Sequence, residues 1–178
     1  KVQDSLNRTS THLFKNALRE VKELGRSDLE LWVATQYGFY LYTYRKYEES
    51  FPFFMSCISI LDQIDAPKII SPCETYKKIA YFLITAGDYE KANEYLLKAR
   101  KYAEPNSSEL ASIVDNLGLD SINWNKLAEA ERDFNEALRI AAVSKDELRY
   151  GKVLGNIAKI RFEEKNYDMA VELLQKDI

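Results

Sequence analysis

The sequence predicts an all-α protein, an α-solenoid of antiparallel helix hairpins with about four repeats and one extra helix at the N-terminus. Three observations carry this. Apolar residues recur three and four apart along the chain without the alternation of a half-buried strand, and in Gly87 to Tyr102 they place Tyr89, Ala92, Leu96 and Ala99 on one helical stripe. The stripe repeats: the small residue that follows each turn is Ser50, Ala92, Ala130 or Ala170, at spacings of 42, 38 and 40, the period of a helical hairpin array. Composition agrees, with 46% hydrophobic and 30% charged residues and only six Gly and four Pro. At 178 residues the chain is long enough for one domain, burying roughly 70% of its unfolded surface.

Taken in order, the first 26 residues hold an amphipathic helix that starts near Ser10 or Thr11 and carries Leu13, Ala17, Val21 and Leu24 on one face until Gly25 ends it. Ser27 or Asp28 caps the next helix, which runs through Leu31, Ala34, Tyr37, Gly38 and Leu41. A turn near Arg45 leads into a helix from Tyr47 to about Leu61, where Pro52 is expected to kink it or delay its regular start. Asp65 to Pro72 reads as the clearest loop. Helices then follow at Cys73 to Thr85, Tyr89 to Tyr102, Glu109 to Ile122, Leu127 to Ala142, Glu147 to Glu164, and from Tyr167 onward. The expected hairpin units are 28–64, 73–106, 109–144 and 147–178, with 1–26 as a cap, all within a single domain.

Each unit has the same internal grammar. Four residues after the anchor stands a large apolar residue, Phe54, Leu96, Phe134 or Leu174; seven after it stands Cys57, Ala99, Ala137 or, as a departure, Asp177. Twelve before it stands Gly38, Ala80, Gly118 or Ala158, preceded by Tyr37, Ile79, Leu117 or Ile157. Small residues let helix axes approach, and the large ones fill the grooves beside them.

This pattern resembles the tetratricopeptide repeat, on the strength of Ile79-Ala80, Tyr89, Ala92 and Ala99 and of their counterparts over roughly residues 28 to 178. Ser121, Arg161 and Leu127 depart from it, and the period exceeds the family's usual 34. The resemblance implies a right-handed superhelix whose first helices line a concave groove for a peptide or helix. Trp32, Phe39 and Tyr42 would point into that groove from the first unit, Lys77 and Tyr81 from the second, Asn116 and Leu119 from the third, and Lys152, Asn156 and Lys159 from the last. The aromatic residues of the first unit have a plainer reading, packing against the N-terminal helix. Family members that grip the C-terminal carboxylate of heat-shock chaperones use Lys, Asn, Asn, Lys and Arg where this chain has Lys77, Tyr81, Asn116, Lys152 and Asn156, a match at three of five. The looser expectation is that Lys77, Asn116 and Lys152 hold an acidic peptide group. The 40-residue units and the Asp4-Ser5-Leu6 start look like the repeat region of a bacterial sensor or regulator, with a neighbouring domain of the same chain as one possible partner.

Chemistry is sparse. His12 is the only histidine, and none of the hydrolase, phosphate-loop or zinc-protease signatures occurs, so neither an enzyme, a cofactor nor a metal is expected. The acidic pairs Glu48-Glu49, Glu129-Glu131 and Glu163-Glu164 read as solvated faces. A net charge of -3 argues against a helical-repeat RNA reader, which needs a basic groove. No apolar run reaches the roughly 20 residues of a membrane span, so the segment reads as soluble, in the cytoplasm or a bacterial extracytoplasmic space. Cys57 reads as a small buried hydrophobe. Asn7-Arg8-Thr9 and Asn106-Ser107-Ser108 match the short glycosylation sequon. The competing class to a groove binder is a structural scaffold or homodimer built on the aromatic first unit.

Overall fold

The computed structural model describes residues 2–64 and 70–175, with side chains from residue 8. Among these residues there are nine helices and no strand: α1 (Val2–Glu23), α2 (Ser27–Thr43), α3 (Tyr47–Leu61), α4 (Pro72–Ala86), α5 (Tyr89–Tyr102), α6 (Ser108–Asn123), α7 (Leu127–Val143), α8 (Glu147–Glu163) and α9 (Tyr167–Gln175). The helices form two compact units, Lys1–Ala86 and Gly87–Ile178. The first holds α1 to α4 and the second α5 to α9, so the division falls in the turn at Gly87-Asp88. Most of the loop expected at 65–72, the side chains of Asp4-Ser5-Leu6 and Asn7, and Asp177 lie outside the described residues. Among the described residues, no helix is long and apolar enough to cross a membrane.

Five of the described helices, α1, α2, α6, α7 and α8, stop by a shared device. At the end of α2, Arg45 N donates to Tyr42 O and Lys46 N to Leu41 O, both at 2.9 Å, which ties off two carbonyls that the helix leaves open. The same pair of bonds recurs at Gly25-Arg26, Asn125-Lys126, Lys145-Asp146 and Lys165-Asn166. The bond pattern requires a left-handed residue, and Arg45, Asn125 and Lys165 have positive φ, as Gly87 does in the turn between α4 and α5. Their spacings, 42, 38 and 40, are those of the small anchors, so turn and stripe repeat as one unit. Helix starts are less uniform. Asp88, Ser107 and Asp146 cap α5, α6 and α8 by accepting backbone N–H bonds three residues on, from Lys91, Leu110 and Arg149.

Three local expectations differ from the structure. α1 begins at Val2 rather than at a Ser10 or Thr11 cap, because no Gly or Pro interrupts the residues before it and Ser and Thr are tolerated inside a helix. Neither Ser27 nor Asp28 caps α2, whose N-cap is Arg26; Asp28 instead accepts two bonds from the Arg26 guanidinium at 2.9 and 2.8 Å. α3 runs unbroken through Pro52, which sits on its exposed side near the N-terminus and so removes only one ladder bond.

Packing follows the register of the repeat. The anchors Ser50, Ala92 and Ala130 are fully buried, as are Phe54, Leu96 and Phe134 four residues on and Cys57, Ala99 and Ala137 seven on. Leu174, at the matching place in α9, is half exposed. In the first unit, Thr35 Oγ1 lies 3.3 Å from Cys57 Sγ and 3.2 Å from Thr75 Oγ1, a buried polar string across α2, α3 and α4. Burial pushes the Cys57 thiol up to about 11, against the hydrogen bond with Thr35, so it remains a neutral core group. In the second unit, Phe134 is surrounded by Ala111, Val114, Ala130, Ala137 and Ile140.

Asp120 breaks this apolar logic. It is buried on α6, and neither carboxylate oxygen has a hydrogen-bond partner among the described residues. Burial raises its pKa above the ordinary aspartate value; the Asn93 amide opposes this less, and it stands outside hydrogen-bond geometry with the carboxylate. A carboxyl raised in the folded state is ionised more readily by the unfolded chain, so folding loses stability as pH rises through the unfolded aspartate range and up to the folded value. Asp120→Asn should therefore stabilise the protein at pH 7 by about 1 kcal/mol, and the gain should fade in acid and vanish only well below the unfolded aspartate value of 3.8. Urea unfolding at pH 7 and in acid tests this; a gain that persists unchanged in acid would show that the carboxylate is not its source.

Candidate functional site

Two faces of first-helix residues are present, one in each unit. In the first unit, α2 and α4 are neighbours, and their facing residues are tied together by a polar cluster. Gln36 Nε2 donates to Glu74 Oε1 at 3.2 Å, while Lys78 Nζ donates to Gln36 Oε1 at 3.0 Å and to the same Glu74 oxygen at 2.5 Å. Burial alone would raise the Glu74 pKa, but the bonds from Lys78 and Gln36 outweigh it and hold the carboxylate below its ordinary range. Lys78 Nζ also stands 4.8 Å from the centroid of the Phe39 ring. Phe39 stacks on Tyr42 with centroids 5.7 Å apart, and the Tyr42 hydroxyl is 2.8 Å from Thr85 Oγ1.

The residues singled out from the sequence divide accordingly. Phe39 and Tyr42 are fixed against α4, whereas Tyr37 and Tyr40 are the rings that meet α1, through Phe14 at 4.9 and 5.5 Å. Trp32 remains 44% exposed and borders a cavity of about 610 Å³ between α1 and α2, walled by Leu13, Phe14 and Ala17. Lys77 and Tyr81 are half-buried on α4, one helical turn and less from Lys78. Lys77 adds to the positive field at Glu74.

In the second unit, α6 and α8 are neighbours in the same way. Asp115, on α6 and almost wholly buried, receives Arg149 Nη1 on one oxygen at 2.8 Å and Asn156 Nδ2 on the other at 2.7 Å. Asn156 is thereby committed to an internal acceptor. Asn116 turns its amide onto Ser112 O of its own helix at 2.7 Å. Leu119 is half-buried, and Lys152 and Lys159 are exposed on α8. Among the described residues, no group of His, Cys, Asp and Glu side chains is placed to hold a metal.

Sequence reasoning did not single out Gln36, Glu74, Lys78 or Arg149, the groups that fix both faces. Glu74 and Lys78 carry a visible signal, an acid four residues before a base on one helix face. Arg149 does not: it is one cation among many until Asp115 is known to be buried beneath it.

The acidic pairs are largely engaged at the surface. Glu49 pairs with Lys46 at 3.3 Å, Glu129 with Lys126 at 3.5 Å, and Arg161 reaches both Glu131 and Glu164.

Comparison with protein-family models finds no match, and neither does comparison with curated protein sequences. Solved structures do match. A putative kinesin light chain from Podospora anserina with nearly identical TPR-like repeats superposes with a TM-score of 0.77 at 13% identity, over 98% of this chain and 86% of that one. BtubC from P. vanneervenii gives 0.72 at 16% identity, over 94% and 72%. The Rap conjugation gene regulator of plasmid pLS20, solved in complex with its Phr peptide, gives 0.70 at 16% identity over 88% of this chain, which spans 44% of the regulator. With the repeat register above, these likenesses show the fold: an all-α solenoid of the tetratricopeptide-repeat type.

Proposed function

We propose that this chain is a non-catalytic interaction module that takes a polypeptide on its first-helix faces, α2 with α4 and α6 with α8, and that it serves a signalling or regulatory protein. The observation that carries this reading is the pre-setting of both faces. Gln36, Glu74 and Lys78 in one, and Asp115, Arg149 and Asn156 in the other, lock neighbouring first helices together. Trp32, Lys152 and Lys159 stand exposed on the same elements. A surface fixed before binding loses less entropy on binding, and an exposed ring beside fixed polar groups suits a peptide backbone with its side chains. The pLS20 regulator, solved with a peptide bound, is a precedent for the fold. The partner is a polypeptide, either separate or a neighbouring domain of the same protein, with acidic character where Lys77 and Lys152 act.

A photo-reactive residue at Trp32 or Lys152, with control positions at Lys101 on α5 and Arg132 on α7, tests this in the native cell. Cross-linking to a polypeptide from the first-helix positions alone is expected, and Lys77→Ala with Lys152→Ala should weaken that partner on the order of tenfold. Cross-links confined to the control positions, or to RNA, would overturn the reading.

A further inference from the structure

A pocket of about 430 Å³ opens between α3 and α4, entirely within the first unit, and it meets the α2–α4 face only at Thr85. Its walls are the rings of Tyr47, Phe51 and Phe82, with Thr85 and Ala86 beside them and Glu48 at the edge. Phe82 is almost fully buried and forms the fixed wall, while Phe51 is 49% exposed and Tyr47 38%. The Phe51 and Phe82 rings meet at 48° with centroids 6.0 Å apart, so they make a corner rather than a flat stack. The Thr85 hydroxyl is already engaged, donating to Tyr81 O at 3.1 Å and lying 2.8 Å from the Tyr42 hydroxyl. Glu48 is thus the one charged group of the lining. Its neighbour Glu49 is paired with Lys46, whereas Glu48 has no ion pair among the described residues.

We infer that this pocket binds an arginine side chain of a partner polypeptide. Aromatic faces carry negative quadrupole potential and attract a cation, and a carboxylate at the rim adds a full charge of the same sign. A purely apolar occupant would cover the rings but leave Glu48 at the edge without a counter-charge. A guanidinium satisfies both demands: it is planar and weakly hydrated, it stacks on a ring, and its fork matches a carboxylate. Its three-carbon stem lies along the apolar wall. The volume admits a long side chain together with its flanking backbone.

This site shares with the preceding section only the premise of a polypeptide partner, and either can fail alone. NMR titration of the whole protein with the blocked tripeptide acetyl-Gly-Arg-Gly-amide should give saturable shifts at Tyr47, Phe51 and Phe82. Glu48→Gln should weaken binding about fivefold, and so should Phe51→Ala, while Lys77→Ala leaves it unchanged. Both pocket positions are exposed, so these variants fold. Equal binding of the tripeptide with norleucine in place of arginine would make the pocket merely apolar and overturn the inference. Equal binding of free guanidinium at matched ionic strength would make the site one for a small cation and overturn it too. Unchanged affinity in Glu48→Gln, or no saturable shift, overturns it outright.

Discussion

Gly118→Ala should destabilise the protein by up to about 2 kcal/mol although it places a better helix former in the middle of α6. Alanine is worth about 1 kcal/mol over glycine inside a helix. Against this, a Cβ at residue 118 would stand 2.7 and 2.8 Å from two carbons of the Phe134 ring and 3.0 Å from a third, well inside van der Waals contact. Phe134 is fully buried in one core cluster with Ala111, Val114, Ala130, Ala137 and Ile140, so its ring cannot turn out to solvent. Overpacking of this kind costs about 1–3 kcal/mol, occasionally more, and so outweighs the propensity gain. The sequence offers the remedy: where the residue twelve before the anchor is glycine, the large residue four after it is Phe, as in Gly38 with Phe54, and where it is alanine the large residue is Leu. Phe134→Leu should therefore relieve the clash, so that the double variant loses less than the two single losses summed, by about 1 kcal/mol or more. Urea denaturation of the four proteins measures it. Additive losses would show that the ring and the missing Cβ are not coupled. Gly38→Ala, whose nearest contacts are 3.1 Å to Phe53 Cβ and 3.5 Å to the Phe54 ring, should be close to neutral.

That contrast shows how much of the fold was legible in the chain. Small and large residues recur in fixed register because two helix axes can approach only where one side lacks bulk, so Gly38, Ala80, Gly118 and Ala158 and the stripes opposite them could be read directly. The turns were legible where their spacing matched the stripe, even at Arg45, Asn125 and Lys165, where no glycine marks the left-handed residue. The start of α1 was not, since its only cue is a cap residue and Ser or Thr also sits inside helices. For the candidate faces, the resemblance to the tetratricopeptide repeat is what implies that Phe39, Tyr81, Asn116 and Lys152 share one side of their helices. It cannot tell which polar groups bond to each other. Asn156 and Asn116 read as available amides, yet one is spent on Asp115 and the other on a backbone carbonyl. Such pairings depend on sub-ångström placement between helices, which no spacing rule encodes.

The Asp115 cluster is also where the largest polar effect is expected. Arg149→Met should cost the protein roughly 2–3 kcal/mol, more than the loss of any surface ion pair in the chain. The reasoning lies in what is left behind. Asp115 has only 3% of its side chain exposed, so without the guanidinium its charge is held from water with the Asn156 amide as its single remaining partner. Removing one partner of a buried pair costs about 3–5 kcal/mol, and because 22% of the Arg149 side chain is exposed the lower figure is the expected one. Methionine keeps most of the apolar stem, so the loss reports the charge and its bonds rather than a cavity. Arg149→Met combined with Asp115→Leu removes both charges and should recover most of the loss, since an apolar pair of similar volume is often neutral or better. Thermal and urea unfolding of the single and double variants decide the matter. If the double variant is as unstable as Arg149→Met alone, the cost lies in packing at α6 and α8. If it recovers, the cluster is there to set the geometry of the α6–α8 face, and the same double variant should loosen that face and weaken any polypeptide held on Lys152 and Lys159 while leaving the first unit's contacts intact.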